Sequence, residues 1–577
     1  VNNFIKTGRA RKEQRAPLDQ DYSSKLSNEN SLLNLEESQI LNEEQKDAVD
    51  IYKSLELGST LLLWGVTGSG KTEVYLQIAA KELEAGRHCL ILTPEIGLIP
   101  QLVDRFVRRF GYCVMEYHSN CSEKERVVTW RRILNSSKPL ILIGTRSAIF
   151  LPLAPLGLIV LDEEHDSSYK QESPMPCYHA RELAIRRAKR TGAKVILGSA
   201  TPSLSTWKRL LPEGPIALAK LQYRISRTPL PPVHVVDMRE ELAIGNRGLI
   251  SRSLMKRFAR LNSLNEQAVV LVPKRGYSSF LSCRSCGEVV QCPHCDVALT
   301  VHKTRKGYQW LRCHWCNYRE NLESCCKECG STAFKPFGTG TQRVMEHLTR
   351  ELQGLRILRF DRDSTGGREG HRVLLEKFAA GDADILIGTQ MLAKGMDLPR
   401  VTLAVVLAAD GLLYRPDLCA EEQALQLFMQ LAGRAGRGKL PGEVLVQTYC
   451  PNHPVIMHLQ DGRYEEFLKN ELNLRREAGL VPYSRTCLLR LAGESPSTTS
   501  AAATRLADIL QPICDKNNWD VIGPTPALIA KVAGKSRWQL LLHGPERSDL
   551  PLPRGSQLWD LLPKGVTLSI DPDPLRL

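Results

Sequence analysis

Residues 59–86 read STLLLWGVTGSGKTEVYLQIAAKELEAG. Leu61 to Trp64 form a short apolar strand, and Tyr75, Ala79 and Leu83 recur behind it at helical spacing. Between them, Gly65 to Thr72 fits G-x-x-x-x-G-K-[ST]. Strand, glycine loop and helix in this order separate a phosphate-binding loop from a chance match. Backbone N–H groups of Gly65, Val66, Thr67, Gly68, Ser69 and Gly70 would wrap the phosphates of ATP. Lys71 would neutralise the β/γ charge, and the Thr72 hydroxyl would bind Mg2+.

Working outward, further strand–helix units follow: HCLILTPE, PLILIGTRS, LGLIVLDEEHD and AKVILGSATPS. Ligands of open parallel sheets sit at the carboxyl ends of the strands. Asp162 and Glu163 close one such run, 91 residues after Lys71. Asp162 is placed to hold Mg2+ and Glu163 to polarise the attacking water; the competing reading is a solvated acidic turn. A second set of units runs from Ala268 to about Tyr449 and ends near QLAGRAGRG. There Gln430, Arg434 and Arg437 fall three or four residues apart, on one helix face. The pattern predicts an α/β protein with two RecA-like lobes, parallel sheets flanked by helices, clamping one nucleotide. Arg434 or Arg437 would reach the γ-phosphate as an arginine finger; the alternative is a surface pair.

Within the second set lies CRSCGEVVQCPHC, then seventeen residues, CHWC, nine residues and CKEC. The four Cys-x-x-C pairs are Cys283/Cys286, Cys292/Cys295, Cys313/Cys316 and Cys326/Cys329. Eight thiolates suffice for two closed tetrahedral zinc sites, which leave no open position for chemistry and are therefore structural. Disulfides or scattered core cysteines are the competing reading. Cys325 is spare, and His294, His302 and His314 could each replace a thiolate.

The chain has 577 residues, a formal net charge of +14 and a pI near 9.0. Such a balance fits a polyanionic partner or a generic basic surface. Nine of the 17 cysteines lie in the zinc stretch. With no secretory leader in view, the thiols point to a reducing cytoplasm. No apolar run approaches the roughly 18 residues that a membrane helix needs. The expected division is a flexible polar leader (1–38), lobe 1 (39–228), lobe 2 (229–460) containing the zinc insert (280–335), and a small α+β C-terminal domain (461–577). In the last, Lys531, Lys535, Arg537 and Trp538 form either a contact surface or an ordinary amphipathic strand.

The order GVTGSGKT, LTPEIGLIPQ, GTRSAIF, DEEH, GSATPS, KRGYSSF, four Cys-x-x-C pairs, GTQMLAKGMDLP and QLAGRAGR resembles the PriA family of superfamily 2 DNA helicases. The resemblance runs from about residue 40 to the end. It implies an ATP-dependent 3′-to-5′ DNA helicase that acts at stalled or arrested replication forks and initiates primosome assembly for replication restart. The partners it implies are fork and single-stranded DNA, primosome and helicase-loading proteins, and single-stranded DNA-binding protein, for a monomeric, nucleoid-associated chain. It also implies one zinc on Cys283, Cys286, Cys326 and Cys329 and another on Cys292, Cys295, Cys313 and Cys316. The family's aromatic-rich loop after DEEH reads DSSYKQESPMPCYHAR here. Tyr169 and Tyr178 would stack on unpaired bases, and Lys170 and Arg181 would track phosphates; the alternative is a loop that packs on its own lobe.

The sequence departs from the family pattern in three places. Only 64 residues precede Gly65, too few for the family's N-terminal DNA-binding region. Lys274 stands where the family has an arginine, and the segment before QLAGRAGR reads DLCAEEQ, with Cys419 and Gln423. The rival to a motor is a fork-binding scaffold that recruits helicase-loading proteins, with weak or dispensable ATPase.

Overall fold

The computed structural model describes residues 36–576 apart from 211–213, 274–279, 295–297, 304–308, 314–317, 323, 337–340, 361–369, 394–397, 416, 439 and 554–556. The first lobe is built on a sheet of seven strands. Their order is Val114–Tyr117, Ile141–Gly144, His88–Leu92, Leu156–Asp162, Lys194–Ser199, Thr60–Gly65 and Ile216–Leu221. Every neighbouring pair is parallel. Helices cover both faces, so each central strand must be apolar on both sides. Leu61, Leu63 and Ile91 belong to one buried cluster, and Leu62, Leu90 and Leu92 to another. That is why these strands read as unbroken apolar runs rather than alternating ones.

The second lobe has six strands in the order Val233–Asp237, Glu443–Thr448, Val401–Val406, Gln267–Leu271, Ile385–Gly388 and Ile357–Phe360. All neighbours are again parallel. The two parallel sheets expected from the sequence are therefore both present. One buried cluster runs across the lobes, from Leu197, Leu204 and Trp207 to Leu425, Phe428 and Leu431. Polar bonds accompany it. The Leu204 N–H donates to Glu422 Oε1 (2.8 Å), and the Tyr464 hydroxyl donates to the Pro202 carbonyl (2.7 Å).

The cysteine-rich insert leaves lobe 2 after Gln267–Leu271 and returns before Ile357–Phe360. Its described strands are short and antiparallel: Leu281–Cys283 pairs with Phe334–Pro336, and Thr300–Lys303, Gln309–Arg312 and Arg319–Asn321 form a three-stranded sheet. In the C-terminal domain, Asp520–Val532, Lys535–Pro545, Ser484–Gly493 and Val566–Pro572 make an antiparallel sheet. Helix Pro496–Lys516, started by a Ser495 cap, lays Leu506, Leu510 and Cys514 against Leu489, Leu491, Leu540 and Leu542. Among the described residues no helix is long and apolar enough to cross a membrane.

Candidate active site and metal centre

Strand Thr60–Gly65 delivers the phosphate loop to the cleft, and helix Lys71–Glu84 leaves it with Thr72 in its first turn. Gly68 and Gly70 take φ of 87° and 81°, a left-handed turn that L side chains resist. The loop is braced from behind. The Val66 N–H donates to the Leu221 carbonyl (3.0 Å). Gln45 Nε2 donates to the Ser69 and Gly70 carbonyls at 3.2 and 3.4 Å, while Gln45 Oε1 closes a capping box with the Asn42 N–H. The sequence reading missed Gln45; its signal was Asn42-x-x-Gln45 at a helix start. Lys71 Nζ rests on the Gly65 carbonyl at 2.8 Å. Burial lowers its pKa, against the pull of Glu163 and Asp162. Ser69 Oγ is buried with no hydrogen-bond partner. A cationic amine and an orphaned polar atom at a glycine turn that opens a helix fit a polyphosphate, although the Val66 and Ser69 N–H groups are taken by the Leu221 and Val66 carbonyls.

Strand Leu156–Asp162 ends in the same cleft. The Tyr75 hydroxyl donates to Asp162 Oδ1 at 3.0 Å. It can do so because residue 198 is glycine, where a Cβ would overlap that hydroxyl. Burial, then the Glu163 charge, raises the Asp162 carboxyl to about 6, with Lys71 opposing. Glu163 has a φ of 51°, an uncommon conformation for a non-glycine residue. The next two residues have separate tasks. Glu164 is buried and accepts from Arg181 Nη1 (3.0 Å), the Ser203 N–H (2.8 Å) and the Thr206 hydroxyl (2.8 Å). His165 Nδ1 lies 2.7 Å from Ser199 Oγ, and its Nε2 meets Gln430 Nε2 from the other lobe.

The opposite wall comes from the helix Ala420–Ala432 and the turn after it. Gln430 Nε2 is 3.5 Å from Glu163 Oε2. Arg434 is buried and donates from Nε and Nη2 to the Ala393 carbonyl (3.0 and 2.7 Å), and Arg437 Nε donates to the Gly433 carbonyl at 3.0 Å. Both arginines lie close enough to Lys71 for their charges to depress its pKa. A Cβ on Gly433 would come within 2.6 Å of Thr67 Oγ1, so this turn abuts the phosphate loop directly. Arg224, which the sequence reading missed, reaches across from lobe 1 to the Gly436 and Gly433 carbonyls at 3.0 and 3.4 Å. Lys71, Asp162, Glu163, Gln430, Arg434 and Arg437 thus meet at one cleft.

The loop after DEEH differs from expectation. Tyr169 is fully buried, its hydroxyl donating to the carbonyls of Asp162 (2.6 Å) and Leu92 (2.8 Å). Lys170 is buried in an ion pair with Asp571 at 2.8 Å. Arg181 is buried on Glu164 and Ser203. None of the three presents a ring or a charge to solvent in this conformation, in contrast to the exposure that base stacking and phosphate tracking call for. The competing reading, a loop packed on its own lobe, describes Tyr169 and Arg181, whereas Lys170 meets Asp571 of the C-terminal domain instead. Tyr178 is half-buried, its ring edge-on to the exposed Phe150 at 5.0 Å.

In the insert, Cys283, Cys286, Cys326 and Cys329 bring four sulfurs within 4.8 Å of one another. Cys283 Sγ is 3.6 Å from Cys329 Sγ, and Cys286 Sγ is 3.6 Å from Cys326 Sγ. Four sulfurs about 2.3 Å from one zinc stand roughly 3.8 Å apart, so the set fits that ion. Burial opposes ionisation of Cys283, but backbone N–H groups of Cys286 and Ser285 outweigh it and bring the thiol to about 7. Each half is a turn of the same build. The Cys283 N–H donates to the Glu288 carbonyl and the Cys326 N–H to that of Ser331. Each second cysteine is followed by a glycine of positive φ, Gly287 (86°) or Gly330 (66°). That shared C-x-x-C-G was a sequence signal for the pairing. Cys313 repeats the turn, its N–H donating to the Tyr318 carbonyl. Cys292 and Cys313 are buried in one cluster, while Cys295 and Cys316 lie outside the described residues.

Two parallel α/β lobes with a phosphate loop, DEEH and QLAGRAGR meeting between them define a helicase core. Family models agree: DEAD/DEAH box helicase matches residues 42–210, and Helicase conserved C-terminal domain matches 333–439. PriA DNA helicase Cys-rich region (CRR) domain matches 292–320, and Primosomal protein N C-terminal domain matches 476–575. Replication restart protein PriA of Synechocystis sp. is 45% identical over 94% of this chain and 66% of its own length. For the Bacillus subtilis protein the figures are 43%, 89% and 64%, and for that of Haemophilus influenzae 37%, 96% and 75%. The chain belongs to the PriA family. It spans 66% and 64% of the first two relatives' lengths.

Proposed function

We propose that this chain is an ATP-driven 3′-to-5′ DNA helicase that acts at stalled or arrested replication forks and initiates primosome assembly for replication restart. The observation that carries the reading is the cleft: Lys71, Asp162 and Glu163 of one lobe face Gln430, Arg434 and Arg437 of the other. Membership of a family whose relatives are named for replication restart supports the fork as its place of work.

In this reading the loop from Gly65 to Thr72 holds the ATP phosphates, and Thr72 and Asp162 ligate Mg2+. Glu163 orients the attacking water, and Arg434 and Arg437 stabilise charge on the transferred phosphoryl group. The metal would supply charge neutralisation at the ATP phosphates. Separating a base pair costs on the order of 1.4 kcal/mol, so each nucleotide-driven closure suffices for a step of a base or so. Two zinc ions stiffen the insert beside the motor. The partners in this reading are fork and single-stranded DNA, primosome and helicase-loading proteins, and single-stranded DNA-binding protein, in the cytoplasm.

Strand-displacement assays on partial duplexes with a 3′ or a 5′ single-stranded tail test the polarity. ATP-dependent displacement from the 3′-tailed loading strand is expected. Displacement from the 5′-tailed substrate only would overturn the assignment.

A further inference from the structure

The loop after DEEH is held at its root by a domain far away in sequence. The Lys170 and Asp571 side chains are each 1% exposed, and their charges meet at 2.8 Å. Lys170 Nζ also donates to the Pro572 carbonyl, in a contact 402 residues apart in the chain. Among the described residues no hydrogen-bond donor other than Lys170 supports the Asp571 carboxylate, and Arg490 Nη1 stands 3.8 Å from it. Lys170 is therefore the main counter-charge of a carboxylate shut away from water, a strongly coupled arrangement. Ile570, on the same C-terminal strand, donates its N–H to Met175 Sδ at 3.3 Å.

The other side of this root leads to the hydrolytic carboxylates. Tyr169, adjacent to Lys170, bonds to the backbone carbonyl of Asp162. Arg146 Nη1 ties the Ser168 and Lys170 carbonyls to lobe 1 at 3.1 and 2.8 Å. The tip, residues 173–176, is exposed. The root below the tip is held between Asp571 and the DEEH strand.

We propose that the Lys170–Asp571 pair is a latch through which the C-terminal domain holds residues 167–179 closed in the DNA-free chain and keeps ATP hydrolysis low. Single-stranded DNA that engages the tip releases the latch, and the shift of Tyr169 frees the end of the DEEH strand. Asp571 is a positioning residue here, since it touches neither nucleotide nor Mg2+ ligands. The inference rests on the reading of the chain as a DNA-stimulated ATPase.

Two variants separate the latch from that reading. Asp571→Asn removes the charge, and Lys170→Met/Asp571→Leu replaces the pair by apolar side chains of similar size. Hydrogen exchange is followed across residues 167–179 without nucleotide, with residues 484–493 as a folding control. Steady-state turnover is measured with and without single-stranded DNA. Both variants should exchange faster in the loop and not in the control strand. DNA-free turnover should rise on the order of tenfold, within the range of intramolecular couplings, while the DNA-stimulated ceiling stays where it was. Unchanged loop exchange overturns the latch whether or not the parent chain hydrolyses ATP. Faster exchange with unchanged DNA-free turnover in an active parent overturns its regulatory role.

Discussion

Gln430 of the second lobe and Glu163 of the first face one another across the cleft, amide nitrogen to carboxylate oxygen at 3.5 Å. The same amide meets His165, whose other nitrogen reaches Ser199. One side chain therefore reads the position of the Glu163 carboxylate and of the strand that runs beside it. Gln430→Ala should lower kcat by about 10- to 100-fold, the scale of one lost charge-stabilising donor, with KM for ATP nearly unchanged. Steady-state kinetics decides it: a raised KM at constant kcat would make Gln430 a nucleotide ligand only.

Asp162 supplies a test in pH. Its carboxyl titrates near 6, raised by burial and then by Glu163. The native state therefore binds this proton more tightly than the unfolded chain does. Stability from this group is greatest at low pH and is lost as pH rises from about 4 to about 6. Asp162→Asn keeps an acceptor for Tyr75 and removes the buried charge. In nucleotide-free melts it should be more stable than the parent at pH 7, by roughly 2–3 kcal/mol at most, and the gap should close by pH 4 to 5. A gap that does not change with pH would refute this.

Arg181 and Glu164 form a buried pair that ties the DEEH turn to Ser203 and Thr206. Arg181→Met leaves the Glu164 carboxylate uncompensated and should cost about 3–5 kcal/mol in urea melts. Adding Glu164→Gln should recover part of that loss. Were Arg181 a phosphate contact instead, Arg181→Met would weaken DNA binding in anisotropy titrations and leave the melt in place.

Zinc content tests the insert. The purified chain should carry two ions, Cys283→Ser should carry one, and Cys325→Ser should keep both. Elemental analysis with protein quantitation measures this. Loss of an ion in Cys325→Ser would break the assignment of Cys283, Cys286, Cys326 and Cys329 to one site.

The cleft was legible because its parts are local. Phosphate loop, DEEH and QLAGRAGR each sit where a strand or a helix ends, and parallel sheets bring those ends together without further information. Gln45 and Arg224 were missed because they act through backbone carbonyls, Gln45 on Ser69 and Gly70 and Arg224 on Gly433 and Gly436, which no side-chain motif records. The setting of the loop after DEEH was not legible for a different reason. Tyr169 and Lys170 have the composition of a nucleic-acid contact, but their partners are the carbonyls of Leu92 and Asp162 and the carboxylate of Asp571. Whether an aromatic or a lysine is exposed depends on those long-range contacts, not on its neighbours in sequence. For the zinc sites, spacing counted the ligands without pairing them, and the glycines after Cys286 and Cys329 carried the missing hint.

In the proposed mechanism the two lobes close on ATP under the control of DNA. Its most direct test is steady-state ATP hydrolysis by the zinc-loaded chain without DNA, with single-stranded DNA and with a forked duplex, beside Lys71→Ala. Hydrolysis that DNA stimulates strongly and that Lys71→Ala abolishes is the predicted result. DNA binding without any stimulation, or turnover that survives Lys71→Ala, would contradict it.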